Sequence, residues 1–120
     1  MPRILVVDDS STSRAIVARL LETRHETVPC ADGPTALGMI ERETFDAVLL
    51  DLLMPGMDGS TTLREIVTRR PGLAVIVITA DIQETTRLRV MGLGAAAIVN
   101  KPLRRENLLA IIDSVLGAGT

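Results

Sequence analysis

Short apolar segments alternate with amphipathic segments along the chain, and this alternation limits the folds that the sequence can adopt. The apolar segments are rich in Val, Ile and Leu, which is typical of strands buried on both faces. They predict strands at residues 4–7, 26–31, 45–50, 74–78 and 96–99, of which the second is the least apolar and is therefore expected near an edge. Between them, apolar residues recur at helical spacing. The first predicted helix has four inward residues and two outward arginines, namely Ile16, Val17, Leu20 and Leu21 against Arg14 and Arg19.

Five strand–helix repeats predict an α/β fold whose parallel sheet is covered on both faces. Right-handed crossovers then favour a doubly wound five-stranded parallel sheet, in the order 2-1-3-4-5, with five helices. Helix signals support this division, since Asp32-Gly33-Pro34 opens the second helix and Gly117 ends the last. With 120 residues and no linker-like stretch, we expect one domain over residues 1–120.

Composition and charge argue against several classes of protein. The net charge is −2 and the pI is near 5.3, so no basic excess exists to displace counterions from a nucleic acid. No stretch approaches the roughly 18 apolar residues that a membrane span needs, and the start of the chain lacks a signal-peptide pattern. The single cysteine, Cys30, is expected to be a small buried thiol. We therefore expect a soluble, cytoplasmic protein without direct nucleic-acid binding or membrane insertion.

Acidic, hydroxyl and amine side chains stand where four of the predicted strands end. Asp8 and Asp9 follow the first strand, Asp51 the third, Thr79 the fourth and Lys101 the fifth. Functional groups in doubly wound sheets gather beyond the carboxyl ends of the strands, so these five residues are expected in one crevice. Lys101 is the only lysine in a chain with 12 arginines, which indicates a position where a compact ammonium is needed.

The chemistry of these five residues points to phosphoryl transfer. Three carboxylates in one crevice repel one another and are driven toward protonation unless a cation compensates. Their oxygens suit Mg2+, and no His or Cys stands at these strand ends, which disfavours zinc or copper. Lys101 could pair with Asp51 and later with an anion attached to it, while Thr79 offers a hydroxyl. A carboxylate in such surroundings is a suitable nucleophile for a phosphoryl group.

Each of these residues also has a simpler explanation when taken alone. An aspartate that ends a strand is often a turn residue or a helix N-cap. Thr79 alone would be a β-branched strand residue, and Lys101 alone a solvated charge. Because all five stand at matching strand ends, we favour the functional interpretation.

The sequence resembles a response-regulator receiver domain over its whole length. The resemblance is carried by the paired acids in residues 7–10, by residues 50–59 (LDLLMPGMDG), by Thr79-Ala80 and by Lys101-Pro102. Residues 9–17 are similar to the chemotaxis regulator CheY. The resemblance implies a flavodoxin-like, CheY-like fold and a role as a phosphoacceptor switch in two-component phosphorelay signalling.

The resemblance also implies roles for individual residues. Asp51 would be the phosphoacceptor, Thr79 and Lys101 would contact the phosphoryl group, and the Lys101–Pro102 peptide bond would be cis. The implied Mg2+ ligands are Asp9 directly, Asp8 partly through water, Asp51, and the backbone carbonyl of Leu53.

The expected partners follow from the same resemblance. A histidine kinase would supply the phosphoryl group, and a downstream effector protein would bind the face formed by the last two helices and strand five. The protein would be no enzyme in the ordinary sense, although it would promote its own phosphorylation and dephosphorylation. We expect a monomer or a weak dimer.

The chain departs from the usual receiver pattern at several positions. Receivers usually carry Tyr or Phe three residues before the lysine, whereas this chain has Ile98, and Phe45 is its only aromatic residue. We therefore expect Thr79 to remain the moving residue, with a smaller surface change around Ile98. Leu53 and Asp81 occupy positions that border the path of attacking water in the family. The apolar Leu53 would shield an acyl phosphate rather than orient water.

Three further groups of residues have less specific interpretations. His25 lies in a polar turn after the first helix and is expected on the surface, away from the acids. Arg104 and Arg105 are expected at the start of the last helix. Leu93, Ile98 and Leu103 would either pack into the core, which we favour for at least two of them, or form an apolar patch for a partner.

Two alternative functions are compatible with the fold. The first is a small-molecule enzyme or cofactor carrier on a flavodoxin-like scaffold. A flavin carrier would need a Ser/Thr/Gly-rich phosphate loop and flanking aromatics, and a haloacid-dehalogenase-type phosphatase would need a second Asp where this chain has Leu53. The second is a receiver-like module that binds partners independently of phosphate, against which the complete group of five residues argues.

Overall fold

The computed structural model describes residues 1–53 and 58–117, and these residues form alternating strands and helices. In chain order the elements are β1 (Arg3–Val7), α1 (Ser11–Leu21), β2 (Glu26–Cys30), α2 (Gly33–Arg42), β3 (Ala47–Asp51), α3 (Gly59–Arg69), β4 (Ala74–Thr79), α4 (Glu84–Gly92), β5 (Ala97–Asn100) and α5 (Arg105–Leu116).

The strands form one parallel sheet in the order β2-β1-β3-β4-β5. This confirms the predicted fold class and strand order, including the edge position of β2. The chain moves outward from β1 to β2 and then returns past β1 to β3, so the direction of winding reverses between β1 and β3. The carboxyl ends of these two strands therefore flank the crevice in which a doubly wound sheet places its ligands.

Apolar side chains cover both faces of the sheet, because successive strand residues point to opposite sides. One face packs under α2, α3 and α4, and its core includes Leu5, Val48, Val77 and Leu63. The other face packs under α1 and α5, and its core includes Ile4, Leu49, Ile76 and Leu108. Burial on both faces is the reason for the continuous apolar runs in the sequence.

Capping residues define the starts of three helices. The side chains of Ser10, Asp32 and Asp58 accept hydrogen bonds from the backbone N–H groups of Ser13, Thr35 and Thr61, respectively. These backbone donors lower the pKa values of Asp32 and Asp58, since they stabilise the ionised carboxylates. At the other end of the chain, Gly117 closes α5 with a φ of 69°, a conformation that favours glycine.

Two expectations about local structure are wrong. Ile16 was expected to face inward, but it is 52% exposed, because the buried face of α1 is centred on Val17 and Leu21. The third strand begins at Ala47 rather than at residue 45. Phe45 is nevertheless buried, and the guanidinium carbon of Arg3 lies 4.9 Å from the centre of its ring.

The burial of Cys30 and of three apolar residues near the last strand can be compared with the expectations from the sequence. Cys30 is buried at the end of β2, as predicted. Leu93, Ile98 and Leu103 are all partly buried against the two cores, so packing accounts for these three residues. Within residues 1–53 and 58–117, no helix is long and apolar enough to cross a membrane.

His25 is buried, and its predicted place on the surface is wrong. Its backbone N–H donates to the carbonyl of Leu21 at 2.9 Å, which holds the residue against the end of α1. The residue is 4% exposed, and its Nδ1 atom is buried without a hydrogen-bond partner in the described part of the chain. Burial lowers the pKa of His25, the charge of Arg24 lowers it further, and Asp113 opposes the shift.

The lowered pKa of His25 predicts a loss of stability in mild acid. In the unfolded chain this histidine gains a proton as the pH falls through its ordinary pKa of 6.5, whereas the folded state resists protonation. Protonation of His25 should therefore not lower the free energy of unfolding above pH 6.5, but this free energy should decrease as the pH falls below that value. Urea unfolding between pH 5 and pH 7 would measure this dependence.

The matched comparison is His25→Leu, which removes the titrating group but keeps an apolar side chain. Its stability should depend less steeply on pH, with a difference in slope of at most one proton, or about 1.4 kcal/mol per pH unit. Identical slopes in the two proteins would show that protonation of His25 does not contribute.

Candidate functional site

Three aspartates meet where β1 and β3 end side by side. Asp8 follows β1 directly, Asp9 is next to it, and Asp51 is the last residue of β3. One carboxylate oxygen of each residue lies within 4.8 Å of the others. Asp8 and Asp51 are buried, whereas Asp9 is exposed. The convergence that the strand ends predicted is therefore present in the structure.

Backbone donors hold two of these carboxylates in place. The N–H of Leu53 donates to Oδ1 of Asp51 at 3.2 Å, and the N–H of Ser10 donates to Oδ1 of Asp8 at 2.9 Å. Both donors lie two residues after their acceptors, which is the spacing of a turn in which an aspartate binds its own backbone. The same turns that end the strands thus orient the acids.

Burial raises the pKa of Asp51 above its ordinary value. The neighbouring charges of Asp8 and Asp9 raise it further, while the N–H of Leu53 and the ammonium of Lys101 lower it. The upward shift means that the N–H of Leu53 and the ammonium of Lys101 do not fully offset the effects of burial and of the two neighbouring acids on this carboxylate.

Lys101 approaches the acids from β5 and stands beside Asp51. Its Nζ atom lies 3.7 Å from Oδ2 of Asp51, while Leu53 binds the other oxygen, Oδ1. The backbone N–H of Lys101 donates to the carbonyl of Thr79 at 2.9 Å, so the end of β5 is tied to the end of β4. The Lys101–Pro102 peptide bond is cis, as the resemblance implied.

Thr79 ends β4 and is buried at the same edge of the sheet. It lines a cleft of about 350 Å3 together with Leu52, Leu53, Asp58 and Asp81. The structure thus places Thr79 beside the loop that follows Asp51.

Several polar contacts around the site could not be read from the sequence. The Arg14 guanidinium donates to the backbone carbonyl of Asp8, although the pattern of α1 put Arg14 on the outer face of the helix. Asp81 and Asn100 bind the turn at the end of β4, and their contacts are described below. Asn100 immediately precedes Lys101, and this adjacency was the only feature of the sequence that could have indicated a role for Asn100 near the site.

The donor atoms of the site fit a hard divalent cation. All three groups in the acidic cluster are carboxylates, and oxygen ligands of this kind suit Mg2+. Three carboxylates face a single ammonium at this point, and the pKa of Asp51 remains raised in spite of it. The side chain of Leu53 is exposed, and the four residues that follow it, 54–57 of the segment that carries the resemblance, lie outside the described residues.

Residues 4–113 match the sequence family of the response regulator receiver domain. The chain belongs to this family. The receiver is 38% identical over 118 residues to the response regulator PleD of Caulobacter vibrioides, a match that covers 94% of this chain and 26% of PleD. It is 33% identical over 119 residues to the protein PilH of Pseudomonas aeruginosa, covering 97% of this chain and 98% of PilH. The chain thus spans about a quarter of one relative and nearly the whole of the other.

The receiver is also similar to solved structures. It matches the receiver domain of the sensor histidine kinase PA1611 from Pseudomonas aeruginosa with a TM-score of 0.87 and 28% identity, covering 97% of this chain and 98% of that one. That structure has a magnesium ion coordinated in its active-site cleft. Receiver domains are signalling switches of two-component systems, in which they interact with histidine kinases and effector domains.

The loop after Asp51 is closed by a glycine that has no room for a side chain. The N–H of Gly59 donates to the carbonyl of Leu52 at 3.1 Å. A Cβ atom on Gly59 would lie closer than 3.0 Å to three backbone atoms of Leu52, so the backbone next to Asp51 would have to move.

Replacing this glycine should therefore destabilise the receiver. We expect Gly59→Ala to lower the free energy of unfolding by about 1–3 kcal/mol, the usual cost of overpacking, as measured by urea unfolding. Gly72→Ala is the matched control, since a Cβ at that position meets no atom within 4 Å. Equal stabilities of the two variants would contradict the importance of the close approach at Gly59.

Proposed function

We propose that this receiver accepts a phosphoryl group on the Asp51 carboxylate from a phosphohistidine of a histidine kinase, and that residues 1–120 act as one switch unit in two-component signalling. The observation that carries the proposal is the position of Asp51. It is a buried carboxylate with two acids beside it, and its Oδ2 atom lies 3.7 Å from the only lysine of the chain.

Mg2+ is the proposed cofactor of this reaction. The carboxylates of Asp8, Asp9 and Asp51, with the backbone carbonyl of Leu53, would hold the ion. When bound, it would neutralise charge on the acids and on the phosphoryl oxygens, which is the main requirement of phosphoryl transfer.

The two oxygens of Asp51 have different surroundings, and this difference suggests their roles. Oδ1 accepts the N–H of Leu53, which fixes the plane of the carboxylate. Oδ2, which faces Lys101, is the proposed nucleophile, and it would form the new O–P bond as the P–N bond to the donor histidine breaks. The leaving imidazole keeps the electron pair of the broken bond and takes up a proton from solvent. Lys101 would attract the phosphoryl oxygens and orient them for an in-line displacement.

The new phosphoryl oxygens would favour a second arrangement of the site. Thr79 and Lys101 would bind them, and a minor conformation that makes these contacts best would become the dominant one. Reversing a 1:99 population requires about 5.5 kcal/mol of differential interaction, so partial switching assisted by a partner is sufficient. The proposed readout surface for an effector protein consists of α4, β5 and α5.

This reaction predicts Mg2+-dependent phosphorylation of a single residue. Incubation with acetyl phosphate and Mg2+ should add one phosphoryl group per chain, detected by intact-protein mass spectrometry, and a chelator should prevent the addition. Asp51→Asn should abolish it, because an amide oxygen is a poor nucleophile.

The matched control for that experiment is Asp32→Asn. Asp32 is an exposed N-cap, and asparagine caps a helix about as well as aspartate does. Uptake by this variant should equal that of the original protein. If the original protein takes up no phosphoryl group, a module that works independently of phosphate is the better description. Turnover of acetyl phosphate that persists in Asp51→Asn would instead favour a small-molecule enzyme.

The exposed side chain of Leu53 predicts how long the phosphorylated state lasts. Leu53 is 74% exposed beside the cleft next to Asp51, and an isobutyl group there would shield an acyl phosphate without orienting water. We expect Leu53→Asn to change the rate of dephosphorylation severalfold, measured by the loss of phosphoprotein after removal of the donor. A tenfold change corresponds to only about 1.4 kcal/mol in the barrier.

Leu88→Asn provides the control for this substitution. Leu88 is a leucine on α4 with 59% exposure, and it does not line the cleft beside Asp51. Its replacement should leave the rate unchanged. Equal rates in Leu53→Asn and the original protein would show that position 53 does not influence hydrolysis.

A further inference from the structure

The turn that follows β4 is held by side chains from two neighbouring elements. It begins at Thr79 and includes Asp81, and both residues make several hydrogen bonds. Asn100 reaches this turn from the end of β5, and Thr86 reaches it from α4. None of these contacts involves the acidic cluster directly, so they form a frame behind the site.

The first contact in this frame determines what the Thr79 hydroxyl can do. The backbone N–H of Asp81 donates to Oγ1 of Thr79 at 3.0 Å. With one lone pair occupied by this donor, the hydroxyl keeps its own proton for an acceptor elsewhere. The contact also limits rotation of the side chain, because only one rotamer directs Oγ1 to that N–H. The hydroxyl can therefore still donate its proton to another acceptor.

The carboxylate of Asp81 keeps its N–H in position. Oδ1 accepts the backbone N–H of Gln83 at 2.8 Å, and Oδ2 accepts the hydroxyl of Thr86 at 2.6 Å. Thr86 is buried on the inner face of α4, and so it is a firm anchor. These bonds lower the pKa of Asp81, with that from Thr86 contributing most, and so favour the ionised form that accepts both donors. Both oxygens are therefore directed toward α4 rather than toward the acids.

Asn100 binds the same turn from the end of β5. Its Nδ2 atom donates to the carbonyl of Thr79 at 3.3 Å and to the carbonyl of Asp81 at 3.2 Å. The next residue, Lys101, donates its backbone N–H to that same Thr79 carbonyl at 2.9 Å. The amide of Asn100 therefore holds the threonine turn, while Lys101 is tied to β4 independently through its own backbone N–H.

From these contacts we infer that Asn100, Asp81 and Thr86 are positioning residues that hold the Thr79 turn in the place from which its hydroxyl can donate to an anion on Asp51. The inference rests on the proposed function, because it concerns the same phosphoryl site. The three residues act through Thr79 and do not touch the anion themselves. A turn that is already held in place loses less entropy when the threonine contacts the anion, so the frame strengthens anion binding.

Polar contacts have a particular importance in this receiver. The half-buried side chain at position 98 is isoleucine, which has no hydrogen-bonding group and cannot hold the turn. The single aromatic residue, Phe45, lies just before β3, at the opposite end of that strand from Asp51. Hydrogen bonds from β5 and α4 thus determine where the Thr79 turn lies.

Binding of beryllofluoride, a mimic of the phosphoryl group, tests this inference. Affinity would be measured by NMR titration at saturating Mg2+ for the original protein, Thr86→Val, Thr86→Ser and Asn100→Leu. Thr86→Val removes a hydroxyl at nearly constant volume, and Asn100→Leu removes the amide donor. Each should weaken beryllofluoride binding about fivefold to tenfold, while Thr86→Ser, which keeps the hydroxyl, should stay within about twofold of the original. Mg2+ affinity measured without beryllofluoride should be unchanged throughout, since the acids are untouched.

A double-mutant cycle separates positioning from a general loss of structure. In a Thr79→Ala background no hydroxyl remains to be oriented, so Asn100→Leu should have no further effect on beryllofluoride affinity. A further loss in that background would overturn the inference, as would unchanged affinity in both single variants or in Thr79→Ala. Circular dichroism and urea unfolding would establish that each variant is folded under the conditions of the titration.

The outcomes for the original protein distinguish the positioning role of the frame from the phosphoacceptor role of Asp51. If it binds beryllofluoride and the variants bind equally well, the positioning role is wrong and the phosphoacceptor role stands. If it binds no beryllofluoride at any Mg2+ concentration, both are wrong.

Discussion

Repulsion between three aspartates held at one edge of a sheet is the physical constraint on which this receiver depends. Asp8 and Asp51 are buried, and Asp9 stands beside them, so their mutual repulsion acts where little water is present to weaken it. The hydrogen bonds and packing of the sheet hold them together against this repulsion. Burial is the main cause of the raised pKa of Asp51, the charges of Asp8 and Asp9 add to it and Lys101 opposes it only in part, so a group so placed favours additional positive charge.

The two-sided core explains how a chain of this size can hold such a site. Because both faces of the sheet are apolar, the strands are fixed by packing under α2, α3 and α4 on one side and α1 and α5 on the other. The strand ends are then rigid points from which short turns project polar groups. The acids and the amine therefore come from separate strands and still meet with defined geometry.

Particular residues show how far sequence patterns could lead. The apolar runs and the polar residues at their ends predicted the strands and the five candidate residues at the strand ends, because both signals are local. The same patterns misplaced Ile16 and His25. Helical spacing alone does not tell how much of an amphipathic face its neighbours cover, and a short polar turn does not reveal that its histidine folds inward. Likewise, nothing local indicated that Arg14 turns toward the carbonyl of Asp8.

The sequence by itself determined the fold class and which side chains stand at the carboxyl ends of the strands, since these depend on local periodicity, and it predicted the strand order because right-handed crossovers favour a doubly wound sheet. Only the tertiary structure decided which contacts those side chains make. Two of these contacts join residues from different strands: Lys101 lies 3.7 Å from Asp51, and Asn100 donates to the carbonyl of Thr79. Such contacts depend on the twist and packing of the whole sheet, which no short segment of the chain encodes.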